Sequence, residues 1–165
     1  MELYKITIPV FIRGLENTLT LIERAQRQAK KEKISWEKLF DGRLAPDMYN
    51  FKEQVGYVYF IALEAAGQLT GKKIPDFSYD ETSFEELKTS LKRTIAFLKT
   101  IKEKDLKGAE KRKYTSHLMP KKKISAEKYI STAILPNFYF HVTTAYDILR
   151  HLSVPLTKED YIGNL

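Results

Sequence analysis

The sequence predicts an all-α protein, a four-helix bundle with a small hairpin or loop between helices three and four. Two observations predict it. Apolar residues recur at alternating steps of three and four in four separate stretches, the spacing that lines one face of an α-helix. Residues that start or stop helices bound these stretches, and sizeable linkers separate them. Four such helices bury their stripes most simply against one another. With 165 residues, 43% of them hydrophobic and 30% charged, the chain reads as one domain, 1–165, with enough apolar side chains for a core.

The first helix runs from residue 7 to about 31, with Thr7 as cap and Pro9 in the first turn, where no N–H is needed. Ile8, Phe11, Leu15, Thr18, Ile22, Ala25 and Ala29 form its stripe. A short helical turn around Trp36 to Phe40 leads into RLAPDM. Asp47 is the expected cap of the second helix, which runs to about Thr70, carries Met48, Phe51, Val55, Val58, Ala62, Ala65 and Leu69 inward and stops at Gly71. Gly56 and Gly67 are tolerated within it at roughly 1 kcal/mol each against Ala, or mark close helix contacts.

Ser83 and Glu86 form a capping box for the third helix, with Thr82 and Glu85 as a one-residue alternative. Phe84, Leu87, Leu91, Ile95, Leu98 and Ile101 carry its apolar face. A lysine-rich segment, 102–123, follows, and alternation around Tyr114 to Leu118 predicts a small exposed hairpin. Ser125 caps the fourth helix. Pro136 falls inside it, so a kink or break is expected there, with the aromatic half restarting at Pro136. Ile134, Phe138, His141, Ala145, Ile148 and Leu152 then form a wide stripe, as expected of a helix central to a bundle. Val154 to Leu165 is expected to form an irregular strap or to stay partly loose.

Composition narrows the chemistry. Without cysteine there is no disulfide, thiolate nucleophile or Cys-ligated metal, which fits a cytoplasmic protein. The start, MELYKITIPVF, has no signal-peptide run, and no stretch approaches the roughly 20 apolar residues that span a bilayer. The net charge of +7 raises nucleic acid as a partner. The excess lies in the 102–123 segment, however, and no helix-turn-helix, zinc-finger or aromatic strand motif accompanies it. A solvated basic face is therefore expected ahead of nucleic-acid binding.

RLAPDM, DET before the third helix, PNFYFHVTTAYDILRH in the fourth and the closing VPL together resemble one uncharacterised bacterial family within the DinB-like superfamily. The resemblance implies an up-down-down-up bundle with a long crossing connection between the second and third helices. It also implies homodimers, a divalent metal held by three histidines and, for some members, thiol-dependent transferase or isomerase activity. The superfamily pattern places one histidine on the second helix and an H-x-x-x-H pair on the fourth. Here the second helix has none, and Asn137 and Ala145 stand four residues either side of His141. His151 lies ten residues beyond His141, roughly 15 Å along a helix, too far to share one ion. No metal of that type and no cofactor is expected.

His141 is read either as a core histidine satisfied by a neighbour or as a polar anchor or general base at the foot of a pocket, with Thr144 and Tyr146 beside it. Asp147 and His151 form an i, i+4 pair that reads as a surface pair before a catalytic one. Arg43 and Asp47, in a linker where polar residues often act on ligands, are candidate ligand-binding residues. Arg43 could bind an anionic ligand group, or pair with Asp47, Asp80 or Glu81 to fix the crossing loops, and Asp47 is also explained as a cap. The leading expectation is a small-molecule-binding bundle with a pocket near His141. The alternatives are a metal-independent transferase or isomerase, with His141 as base and Arg43 as anion anchor, and a basic interaction module.

Overall fold

A computed structural model describes residues 2–163, and for Met119 the backbone alone. Four long helices dominate: α1 (Ile8–Glu32), α3 (Phe51–Thr70), α4 (Phe84–Thr100) and α6 (Leu135–His151), with the short α2 (Trp36–Phe40) between the first two. Two 3₁₀ turns (Glu103–Leu106 and Ala109–Lys111) lead to an antiparallel hairpin of β1 (Lys113–Ser116) and β2 (Met119–Ser125). One α-helical turn, α5 (Ala126–Lys128), and a π-helical turn (Tyr129–Ile134) join the hairpin to α6, and α7 (Lys158–Ile162) closes the described chain.

Cross-helix contacts give the direction of each helix. Gln26 hydrogen-bonds Glu85, and Glu16 pairs with Lys99, so α1 and α4 run antiparallel. Phe51 meets Phe84 near the start of both α3 and α4, which run parallel. Gln54 meets His141 while Glu64 meets the hairpin that leads into α6, so α3 and α6 are antiparallel. The result is the up-down-down-up bundle, with residues 71–83 as the crossing connection between two parallel helices. Phe11, Leu15, Phe51, Val55, Leu87, Phe138 and Ile148 meet in its core. Gly14 lets Phe138 approach: a Cβ there would stand 2.5 Å from the ring.

The local signals mostly hold. Gly71 ends α3 with φ +73°, the left-handed conformation that glycine adopts without strain. Ser83 Oγ accepts from Glu86 N–H, but the Glu86 carboxylate reaches back to Thr82 rather than to the cap itself. Ser125 caps α5 as expected. Asp47 does not cap α3. The chain first closes a turn from Met48 N–H to Ala45 carbonyl, and the helix begins three residues later, where Asn50 and Glu53 make a reciprocal capping box. The residue three beyond Asp47 is Asn50, so Asp47 lacks the glutamate that completes such a box.

Pro136 does not break the fourth helix. The backbone stays helical, with Leu135 at φ −63° and ψ −46°, and the widened π turn just before it absorbs the ring and the missing N–H. The tail is an ordered strap over its described part. Val154 and Leu156 are buried, Arg24 pairs with Asp160 at 2.7 Å, and Arg13 and Asn17 donate to the carbonyls of α7. Asn164 and Leu165, the end of the expected strap, lie outside the described residues. No described helix is long and apolar enough to cross a membrane.

Candidate functional site

The site is built on one hydrogen bond between α3 and α6. His141, 5% exposed, places Nδ1 at 2.6 Å from Gln54 Oε1. The Gln54 amide nitrogen donates to the Tyr49 carbonyl at 3.1 Å, which orients the amide. Its oxygen therefore faces the imidazole as an acceptor, so Nδ1 carries the proton and Nε2 keeps a lone pair. Burial, reinforced by nearby His117, depresses the His141 pKa from 6.5 to about 4. The ring is neutral at neutral pH.

Tyr57 stacks flat on this imidazole, 4.8 Å between centroids and 13° between planes. Tyr49 stacks on Tyr57 at 4.7 Å, and their hydroxyls hydrogen-bond at 2.9 Å. That bond, with burial behind it, raises the Tyr57 pKa and keeps its phenol protonated. Phe60 stands edge-on to Tyr57 and, from the crossing connection, to Tyr79. These four rings wall a cleft of about 420 Å³ that Gly56 also lines. Lys52, Glu53, Asp80 and Glu81 are the charged residues at its edge.

The second wall is held less regularly. Tyr79 has φ +57°, a conformation that disfavours a bulky side chain. Its ring stacks on Tyr59 at 5.3 Å and meets Phe77 and Phe60, contacts worth roughly 0.5–1.5 kcal/mol each. Glu81 accepts from the Tyr59 hydroxyl at 2.7 Å and from Ser90 Oγ, anchoring the crossing connection to α3 and α4. Burial and Glu81 together push the Tyr59 phenol far above its ordinary range, so it remains a donor.

The residues singled out in the sequence do not all gather here. His141 lies behind Tyr57 and does not line the cleft. Thr144 is buried, but its hydroxyl donates to the Phe140 carbonyl of its own helix. Tyr146 packs edge-on to Tyr161 of α7, away from His141. Arg43 is exposed and donates to the Met48 carbonyl, bracing the turn before Tyr49; among the described residues it makes no ion pair with Asp47, Asp80 or Glu81. Asp47 is exposed. Asp147 and His151 are exposed too, with no ion pair between them among the described residues. Lys111, Lys113 and Lys121 to Lys123 are exposed on and beside the hairpin, as a solvated basic face requires.

Sequence reasoning missed the cleft residues themselves. Tyr57 and Phe60 fall on the flank of the α3 stripe, Tyr49 lies in the turn before its cap, and only the aromatic repeat Phe77-Ser78-Tyr79 in a polar linker hinted at the opposite wall. It also missed His117, which leaves the hairpin to pair with Glu64 at 2.8 Å and reach Asn137 at 3.4 Å. The three histidines lie apart: His117 pairs with Glu64, His141 with Gln54, and His151 sits at the exposed end of α6. Among the described residues no group of three or more His, Cys, Asp or Glu side chains converges on one point. The donor set does not fit the three-histidine metal site.

The depressed pKa of His141 has a sign. As pH falls from 6.5 toward about 4, the unfolded chain takes up this proton before the folded one, so the histidine's contribution to stability is complete above 6.5 and lost on acidification. Urea unfolding across that window should show a steeper loss for the wild type than for His141→Gln. Equal slopes would mean that His141 titrates normally.

The comparisons with known proteins agree with this architecture. Residues 3–162 match the family described as a domain of unknown function (DUF1993). A crystal structure of a DinB family member protein from Shewanella denitrificans superposes with a TM-score of 0.93 at 30% identity, over 99% of this chain and 93% of that one. No curated protein matches the chain. The topology, the crossing connection and these two matches agree: the chain belongs to the DUF1993 family, within the DinB-like superfamily of helical bundles.

Proposed function

We propose that the protein binds a small molecule in the cleft between α3 and the crossing connection. One observation carries the reading: a concavity of about 420 Å³ walled by four aromatic rings and backed by a buried, oriented imidazole. Its size and mixture of apolar walls with a few polar groups suit a small ligand. His141 serves as a rigid support for Tyr57, not as a base in contact with the ligand. The transferase or isomerase alternative has weaker support, because Arg43 and His141 do not meet in one cavity. No particular observation favours the basic hairpin as a nucleic-acid surface.

Gly56 offers a clean test. A Cβ there meets only the Tyr59 hydroxyl, at 3.9 Å, so Gly56→Leu fills the cleft without a clash at its first atom. A series of neutral aromatics, amines and carboxylic acids screened by thermal shift should yield binders of the wild type that Gly56→Leu no longer binds, while the variant keeps a cooperative melt. Binders unaffected by Gly56→Leu, or none for the wild type, would contradict the reading.

We also infer that the protein pairs with a second copy through the outer face of α6 and the hairpin tip. Phe140 and Leu118 are each 54% exposed there, large apolar groups on a chain otherwise well supplied with surface charge. Sedimentation equilibrium should give a dimer that Phe140→Ser weakens. A wild-type monomer at all accessible concentrations would rule it out.

A further inference from the structure

We propose that the cleft selects a cation: a small molecule with a quaternary or tertiary ammonium on an apolar body. This rests on the binding reading above and specifies its ligand class. The protein as a whole carries +7, yet the charged residues around this cleft are three carboxylates (Glu53, Asp80 and Glu81) against one ammonium, Lys52. The local sign is opposite to the global one. Lys52 reduces the negative charge but does not reverse it, since one ammonium stands against three carboxylates, and its Nζ is directed over the Phe40 ring at 5.5 Å.

The carboxylates differ in how far they are committed. Glu53 closes the helix cap on Asn50, and Glu81 accepts from Tyr59 and Ser90. Asp80 is exposed and has no hydrogen bond or ion pair among the described residues, so it can approach a bound charge. The aromatic walls supply the rest. Rings of tyrosine and phenylalanine present electron-rich faces, and several around one cavity recognise alkylated ammonium groups, which are weakly hydrated and hard to satisfy with hydrogen bonds alone. The Tyr49–Tyr57 hydroxyl pair is internally satisfied, and Tyr57 is stacked between His141 and Tyr49. The surfaces left for a ligand are the free face of Tyr49, Phe60, the face of Tyr79 turned away from Tyr59, and a carboxylate. An anionic ligand would meet the wrong charge, and a neutral one would leave Asp80 without a partner.

The test uses the full chain and three probes: choline, its neutral carbon isostere neohexanol, and benzoate. Titrations followed by amide NMR shifts report both affinity and place. Choline should shift the amides of Gly56, Tyr57 and Tyr79 and bind roughly tenfold more tightly than neohexanol, the scale expected of a desolvated cation–π site. Asp80→Asn, a change at an exposed side chain, should weaken choline several-fold and leave neohexanol unchanged. Neohexanol or benzoate binding at these amides as tightly as choline would overturn cation selection while leaving the cleft a binding site. Silence of these amides toward all three probes would overturn the cation proposal as well, and the Gly56→Leu screen judges the broader reading separately.

Discussion

The hydrogen bond between Gln54 and His141 is the contact on which the site depends. It joins α3 to α6, two antiparallel helices that otherwise meet through apolar side chains, with a polar pair that has one geometry. A buried imidazole N–H without a partner would destabilise the fold by about 1–3 kcal/mol, so the bond fixes the register of the two helices as well as the ring. The Tyr49 carbonyl fixes the amide, the amide fixes the imidazole, and the imidazole supports Tyr57. Each step leaves the next little freedom. The cleft's first wall is therefore preorganised before any ligand arrives.

The opposite wall follows from topology. Two parallel neighbours, α3 and α4, require a connection that runs back along the bundle, and residues 71–83 make it. Such a segment has few backbone partners of its own. Glu81 supplies side-chain ones to Tyr59 and Ser90, while Tyr79 adopts a left-handed backbone so that its ring can lie on Tyr59. One wall is a helix face and the other a strap pinned at Glu81, so closure of the cleft, if a ligand induces it, falls to the strap.

Much of this fold was legible in the sequence, because periodicity and capping act locally. The α1 and α4 stripes, the Ser83 and Ser125 caps, the stop at Gly71 and the hairpin all depend on neighbours within a few residues. The start of α3 was misplaced because Asp47 and Asn50 are both good caps, and the choice turned on Glu53 and on the turn closed by Met48. Pro136 was expected to kink or break the helix and restart it. The backbone stays helical, and the interruption takes the form of a π turn ending at Ile134, just before α6 starts at Leu135, a solution that leaves no mark in composition. The site was less legible. His141 was found, but its partner Gln54 is 87 residues away, and nothing local signals that Tyr57 stands between the ring and the cleft. Thr144 and Tyr146 were grouped with it by proximity along the chain, which a helix converts into different faces.

The measurement closest to the central claim is the tautomer and charge of His141, read from long-range proton–nitrogen NMR correlations of the imidazole. The account requires a neutral ring protonated at Nδ1 throughout the neutral range, with protonation delayed to about pH 4. Loss of the Nδ1–H signature in Gln54→Leu would tie it to the amide. A ring protonated at Nε2, or one that becomes cationic near pH 6.5, would contradict the Gln54 anchor and remove the support from the first wall of the cleft.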